Sequence, residues 1–516
     1  MFRSFVPERL RPWLFVCLAI TFQFSGGLYL GTLNQMMGET AWMREDLLMC
    51  LYANLAGMAL YFPLLFRMKF RFTNKTLLLS AATGVLVCNL LAPHITFLPL
   101  LWAVCFIGGM CKIQGTFECM SNIQLWMSPT RDFTVFFPVL HLIILGSMQV
   151  SDWLAVQLMV EYHWSYMQYF ISALMLVDLL FLLTCTRHFR MFKKFPLFGI
   201  DWLGGIIWAV FAFEVAYLFN YGEYYDWMNS PVVCQLIGAI LVTLAIGLLR
   251  MLSIRHPYFP TQMWSYKHLI PVLILVVVAE LFFAAEHVLE HIFVEGVMHY
   301  EERVDVQLNW ATLAGAWSGC LFSYWWMHLR RYPHFKLLMV GILGIFGYLF
   351  GFYMVLSDEI HITQLYLPIA CRGFAYAVMS VTLLMYLEEL MDFQHFFQSL
   401  GFFQLLHMVV GGVIGAAIYA RCFTYYMADN VARYGAAVDA PALGNDPDAM
   451  GNVMGLFIRE MQEVSLRQIY GWASYACLFL LLAFLLYDAP VRRESKLIPL
   501  WRKVWKDTYQ NVAEKR

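Results

Sequence analysis

Eight ionisable residues stand inside long apolar runs: Lys112, Glu118, Asp152, Asp178, Glu214, Glu280, Arg372 and His407. A charged group within a bilayer costs about 2.5–3.5 kcal/mol on insertion scales, so such a residue faces a cavity or a partner and marks a pathway. Glu280 lies about eleven residues into its run, close to the midplane at 1.5 Å per residue, where a desolvated carboxyl group can take up and release a proton. Glu280, Asp152, Lys112, Arg372 and Glu118 are therefore the candidates for proton coupling. His407, Asp178, Glu214 and Gln149 are candidates for the polar lining of a substrate cavity. The competing use of each acid is a fixed pair with a basic neighbour that only packs helices. Lys112 is expected to pair with Asp152 or Glu118.

The cluster EHVLEH, Glu286 to His291, carries a second kind of chemistry. On an α-helix His287 and His291 fall near the face of Glu280, while Glu286 and Glu290 project well away from it. An i, i+4 histidine pair can bind a metal. At the outer end of an apolar run the plainer role is contact with interfacial water, and a metal or pH-sensing pair is the alternative. A histidine-metal membrane enzyme needs several His-rich boxes on one side, and of the 14 histidines only His287 and His291 have that spacing. The twelve cysteines form no C-x-x-C pair and sit mostly in apolar runs, as small buried hydrophobes do. No P-loop motif occurs, so no nucleotide, metal or other cofactor is expected and energy must come from an ion or substrate gradient.

The elements that position these residues are spans. Of 516 residues 61% are hydrophobic and 13% charged, about half the charged share of a soluble domain, so lipid is the main solvent. A net charge of -1, with basic residues in short clusters, excludes a nucleic-acid footprint. Windows of about 20 apolar residues number fourteen and start near Trp13, Asp46, Leu77, Leu98, Val135, Tyr166, Trp202, Pro231, Leu269, Gln307, Leu337, Thr363, Phe397 and Arg467. Of the 34 Lys and Arg, 26 fall on the termini and alternate connections, six on the opposite set, and Lys112 and Arg372 within spans. The basic side is the cytoplasmic one, which predicts fourteen helices with both ends inside and no cleaved leader. The one long connection, about 421–465, contains YGAAVDAPALGNDPDAMGN and reads as a flexible aqueous loop followed by a short amphipathic segment.

Several segments resemble the fourteen-helix drug:proton antiporter branch of the major facilitator superfamily, the EmrB-like exporters. FGIDWLGGIIWA (Phe198 to Ala209), YGEYYDWMNSPVV (Tyr221 to Val233) and RHPYFPTQMWSYKHL (Arg255 to Leu269) are similar to that branch's entry to span seven, its hairpin, and its return into the second half. EYHWSYMQYF (Glu161 to Phe170) resembles the link into span six, and GFFQLLHMVVGGVIGAA (Gly401 to Ala417) the Gly-rich span thirteen. Arg372 in CRGF matches the Arg-Gly pair of span twelve. In span five, SMQVSDW places Asp152 where the branch has glycine, and in span four Lys112 stands two turns beyond the place of the usual arginine.

The resemblance implies a major facilitator fold: a six-helix bundle over 1–186, two inserted helices with linkers over 187–268, a second bundle over 269–490, and a basic tail over 491–516. It also implies proton-coupled export of small amphiphilic or drug-like molecules across an inner membrane, with a periplasmic adaptor and an outer-membrane channel as partners near Tyr425 to Gln462. Aromatics such as Trp208, Phe211, Phe213, Phe402 and Phe403 could line such a cavity or simply pack helices. A receptor or scaffold of the same fold without transport is the alternative.

Overall fold

Asp, Ser, Thr and Pro punctuate the apolar sequence and start its helices. The Thr73, Asp132, Asp201 and Ser230 side chains accept hydrogen bonds from the first-turn amides of Thr76, Thr134, Gly204 and Val232, and Pro231 follows its cap at a position where a missing N–H costs nothing. In the computed structural model the described residues are 2–25, 32–40, 42–128, 132–189, 199–266, 268–357, 360–391, 393–435 and 447–494. The basic tail beyond 494, the linker 190–198 and the Gly/Ala/Asp-rich stretch 436–446 lie outside them.

The helices are α1 (Arg11–Phe24), α2 (Leu33–Thr40), α3 (Arg44–Arg71), α4 (Asn74–Leu91), α5 (Leu98–Met127), α6 (Phe133–Glu161), α7 (Tyr166–Cys185), α8 (Trp202–Tyr221), α9 (Pro231–Ser253), α10 (Leu269–Phe283), α11 (Glu302–Asp305), α12 (Leu308–Tyr324), α13 (His334–Val355), α14 (Tyr366–Leu390), α15 (Phe393–Gln404), α16 (Gly412–Gly435) and α17 (Pro447–Glu494). Among the described residues twelve helical segments are long and apolar enough to cross a bilayer, against fourteen expected. The other two expected spans are α1, with 14 residues, and α12, with 17 residues before it continues through a π turn at Trp325–Leu329. Neither α-helical stretch alone reaches the roughly 30 Å of a hydrocarbon core.

Helices α1 and α3 to α7 pack among themselves, as do α10, α12 to α14, α16 and α17. The two groups meet along α6 and α12 on one side, and where α3 meets α15 and the π turn Leu405–Gly411 on the other. Each group has a backbone-to-backbone crossing that only glycine permits. A Cβ on Gly109 would lie 2.1 Å from the Asn54 carbonyl oxygen, and one on Gly373 would lie 2.3 Å from that of Thr312.

Helices α8 and α9 form a hairpin that leans through α8 on α3 and α16. Asp201 closes its base: one carboxylate caps α8 through the Gly204 amide (2.9 Å) and takes the Arg250 guanidinium at 2.7–3.2 Å.

Two expectations change. The flexible loop over 421–465 is helical through Gly435 and again from Pro447. Its arms are joined when Asn430 donates to Ser465 (2.9 Å) and Gln468 (3.2 Å), satisfying a polar side chain that is 1% exposed. The second change is at EHVLEH, where the chain leaves α-helical winding for two π turns, Glu286–Glu290 and Ile292–Val297. The extra residue per turn rotates every later side chain, so the 100° projection fails.

Candidate functional site

Glu280 projects from α10 to His407, which rides on the π turn between α15 and α16; the carboxylate and imidazole Nδ1 are 2.7 Å apart. The approach depends on Gly411, where a Cβ would lie 2.7 Å from that of Glu280. Tyr376 of α14 stands 3.4 Å from His407 Nε2. From the other helix group comes His141 of α6, whose Nδ1–H donates to the Phe137 carbonyl (2.9 Å) and so leaves Nε2 as its remaining polar atom. His141, Glu280 and His407 line one enclosed cavity of about 20 Å³, together with Ser380 and Gln404. That volume suits a single water. A carboxylate and an imidazole in contact away from bulk water can lie as an ion pair or as a neutral pair. Burying two charges costs several kcal/mol and their attraction returns much of it, so moving one proton switches the pair.

A second buried cluster surrounds Arg372, which is 4% exposed. Its guanidinium binds Glu290, lies 3.2 Å from Glu286 and donates to Thr312 at 2.9 Å. The Tyr348 hydroxyl donates to the far oxygen of Glu290 at 2.5 Å, with the guanidinium 5.9 Å from its ring. One cation thus serves two carboxylates, and the cluster is neutral when one of them holds a proton. The sequence reading places Glu286 and Glu290 toward interfacial water; the π turns carry Glu290 inward instead, to 8% exposure. A buried arginine calls for a counterion, but nothing in the sequence says which of the acids supplies it.

The expected grouping of Lys112 with Asp152 or Glu118 does not form. Glu118 lies 3.5 Å from Lys69, whose flexible stem folds back from the last turn of α3 over the Phe117 ring at 5.2 Å. Asp152 accepts from Asn309 at 3.0 Å, across the α6–α12 contact. Lys112 is 4% exposed and has no hydrogen bond or ion pair among the described residues. Asp178 accepts from Thr21 (2.6 Å), tying α7 to α1. Glu214 accepts from Thr243 (3.2 Å) inside the α8–α9 hairpin. Gln149 is half-buried on α6. Trp208 packs against Phe259 and Phe402, while Phe403 reaches the small cavity. His141, Tyr376, Glu290 and Tyr348 are not legible as site residues in the sequence.

The two groups touch at both ends. At the end bearing Arg67, Lys69 and Arg71, Phe66 and Phe117 meet Phe397 at 4.3 and 5.7 Å, and Phe133 meets Phe396 at 6.1 Å. The opposite end is acidic and polar. Trp153 lies 5.5 Å from Trp310, Arg303 is 3.8 Å from Glu161, and Asn34 of α2 donates to Glu295 at 3.3 Å. There Asp305 is pushed up to about 7 by burial and by Glu290, Glu295 and Asp152, against Arg372. A roomier cleft of about 640 Å³ opens at this end between Trp153, Arg303, Trp310 and Tyr366, away from Glu280.

His287 is exposed. His291 pairs with Glu295 (3.1 Å), and these two with Asp305 bring donor atoms within 4.8 Å of one another. The His287–His291 pair, the alternative weighed against interfacial water, is therefore not the set of donors that converges.

No family model matches the chain, and no curated protein matches its sequence. Among solved structures, a single-site mutant of the nucleoside transporter NupG aligns with a TM-score of 0.55 at 13% identity, covering 92% of this chain and 99% of that one. The inward-open xylose transporter XylE from E. coli aligns with a TM-score of 0.50 at 11% identity, covering 91% and 94%. These likenesses show the fold alone: an all-helical polytopic membrane protein with a major-facilitator-like fold.

Proposed function

We propose that the chain is a secondary transporter that couples export of small amphiphilic molecules to protons by alternating access. The observation that carries this reading is the Glu280–His407 pair facing His141 in a cavity built from both helix groups. A pair at the seam of two bundles that takes up one proton from one side and releases it to the other changes its net charge, and so can favour one packing of the halves when protonated and another when deprotonated. The bundles are assigned to 1–186 and 269–490, with α8 and α9 as the insertion that gives fourteen crossings. The resemblance to the fourteen-helix antiporter branch supports this assignment, as does the α8–α9 hairpin; the fold neighbours support the two-bundle fold alone.

The charge alternation supports a cytoplasmic basic end with both termini on that side, and the antiporter resemblance supports an inner membrane as the location. In this reading the aromatic contacts of Phe66 and Phe397 close the inner side, and the helical arms around Asn430 reach outward toward an adaptor and outer channel. Lys112, Asp152, Arg372 and Glu118 remain supporting candidates for coupling, with Arg372 and its two glutamates the strongest of them. No catalytic role is assigned to any of these groups, and no cofactor enters the cycle.

The test is solute-driven proton movement in proteoliposomes, read by a trapped pH dye against a panel of amphiphilic cations, nucleosides and xylose. Wild-type protein should move protons when an amphiphile is added, and Glu280→Gln and His407→Ala should abolish the signal. A signal from nucleosides or xylose alone would replace the substrate class. A signal unchanged in Glu280→Gln would overturn the coupling role.

A further inference from the structure

We propose that His291, Glu295 and Asp305 form a binding site for a divalent transition metal of the Zn²⁺ class at the acidic end of the molecule. One imidazole nitrogen and one oxygen from each carboxylate lie within 4.8 Å of one another. Two ligands held at ~2.1 Å from a tetrahedral metal stand roughly 3.4 Å apart, so closure needs about an ångström of side-chain movement. The His291–Glu295 separation, 3.1 Å, already falls in that range.

The backbone builds this convergence. His291 and Glu295 stand four apart where the chain passes through its π turns. The chain then reverses at His299, whose φ of 54° is left-handed, and α11 returns Asp305 against the second π turn. A ligating carboxylate is normally oriented by an outer hydrogen bond, and Asn34 supplies one: its amide holds Glu295 Oε2 and leaves Oε1 toward His291.

The surrounding field favours a cation. Asp305 faces Glu290, Glu295 and Asp152, and Glu302 stands beside Glu295. The opposing cations are Arg372, already engaged by Glu290 and Glu286, and Arg44, whose charge acts on both His291 and Glu295. One nitrogen with two carboxylate oxygens matches Zn²⁺ or Co²⁺ better than Ca²⁺, which takes six to eight oxygens.

The site does not depend on transport and is tested by binding. Full-length protein in detergent, stripped with chelator and desalted, is titrated with Co²⁺ by visible absorption and with Zn²⁺ by calorimetry. One equivalent should bind, and His291→Ala and Asp305→Asn should each weaken it at least tenfold. Asn34→Ala should weaken it about tenfold, as outer-shell losses do, while His287→Ala, an exposed neighbour on the same segment, leaves it unchanged. Glu295→Gln repeats the test without a change of side-chain size, and unchanged elution and helical dichroism certify each variant. No bound equivalent, or equal affinity in wild type, His291→Ala and Glu295→Gln, overturns the site.

Discussion

Arg372 shows most directly what a buried charge demands of its neighbours. Its guanidinium is held by Glu290, Glu286 and Thr312, while Tyr348 fixes the second oxygen of Glu290. Breaking a buried ion pair by removing one partner costs about 3–5 kcal/mol, because the other charge is stranded. Arg372→Met should therefore lower the thermal midpoint sharply in detergent. Arg372→Met with Glu290→Gln should recover much of the loss, since the one carboxylate then left without its cation, Glu286, is partly exposed. Equal midpoints for the single and double variants would show that the pair is not the energetic unit. Glu280 and His407 differ in consequence. Their contact faces a cavity, so Glu280→Gln should leave folding within about 1 kcal/mol while removing proton movement, a separation that thermal melts and the vesicle assay read independently.

At the scale of elements, glycine crossings and π turns decide which side chains meet. Gly373 sits next to Arg372 and packs its α14 backbone on Thr312, so Gly373→Val must push α12 and α14 apart. Overpacking of this kind costs about 1–3 kcal/mol, and because Thr312 moves with the helix it should also loosen the Arg372 cluster. A lower midpoint is expected in fluorescence-detected gel filtration, and an unchanged one would deny the close crossing. The same elements explain what the sequence could disclose. The starts at Leu98, Tyr166, Trp202, Pro231 and Leu269 coincide with helix starts, since caps, prolines and apolar length act locally. Glu280 and Arg372 are legible because a charge in an apolar run is conspicuous in any register. Glu290, Tyr348, His141 and Tyr376 are not, because their positions depend on π winding at Glu286–Val297 and Leu405–Gly411 and on contacts between distant helices. The Lys112 pairing fails for a related reason: Lys69, counted as a loop cation, lies on α3 with a stem long enough to reach Glu118 first.

For the whole molecule, contacts at both ends set the condition that the proposed transport must meet. The halves touch through Phe66 and Phe397 at the basic end and through Trp153 and Trp310 at the acidic end, with only about 20 Å³ enclosed between them at Glu280. A solute enters only if one set of contacts parts, and it crosses only if the two sets part in turn. Ser380, which lines the small cavity and is 9% exposed, makes a reporter for that opening. With the twelve free cysteines replaced, Ser380→Cys should react slowly with a membrane-impermeant maleimide from either face of a vesicle. Adding Phe66→Cys with Phe397→Cys and cross-linking them should block labelling from the basic face alone. Trp153→Cys with Trp310→Cys should do the same for the acidic face. Each block should lift on reduction, and free labelling with both ends cross-linked would mean that the cavity communicates with water by another route and that these contacts are not gates. Labelling from one face only, unaffected by either cross-link, would instead describe a static cleft, the behaviour of a receptor or scaffold rather than of two bundles that rock.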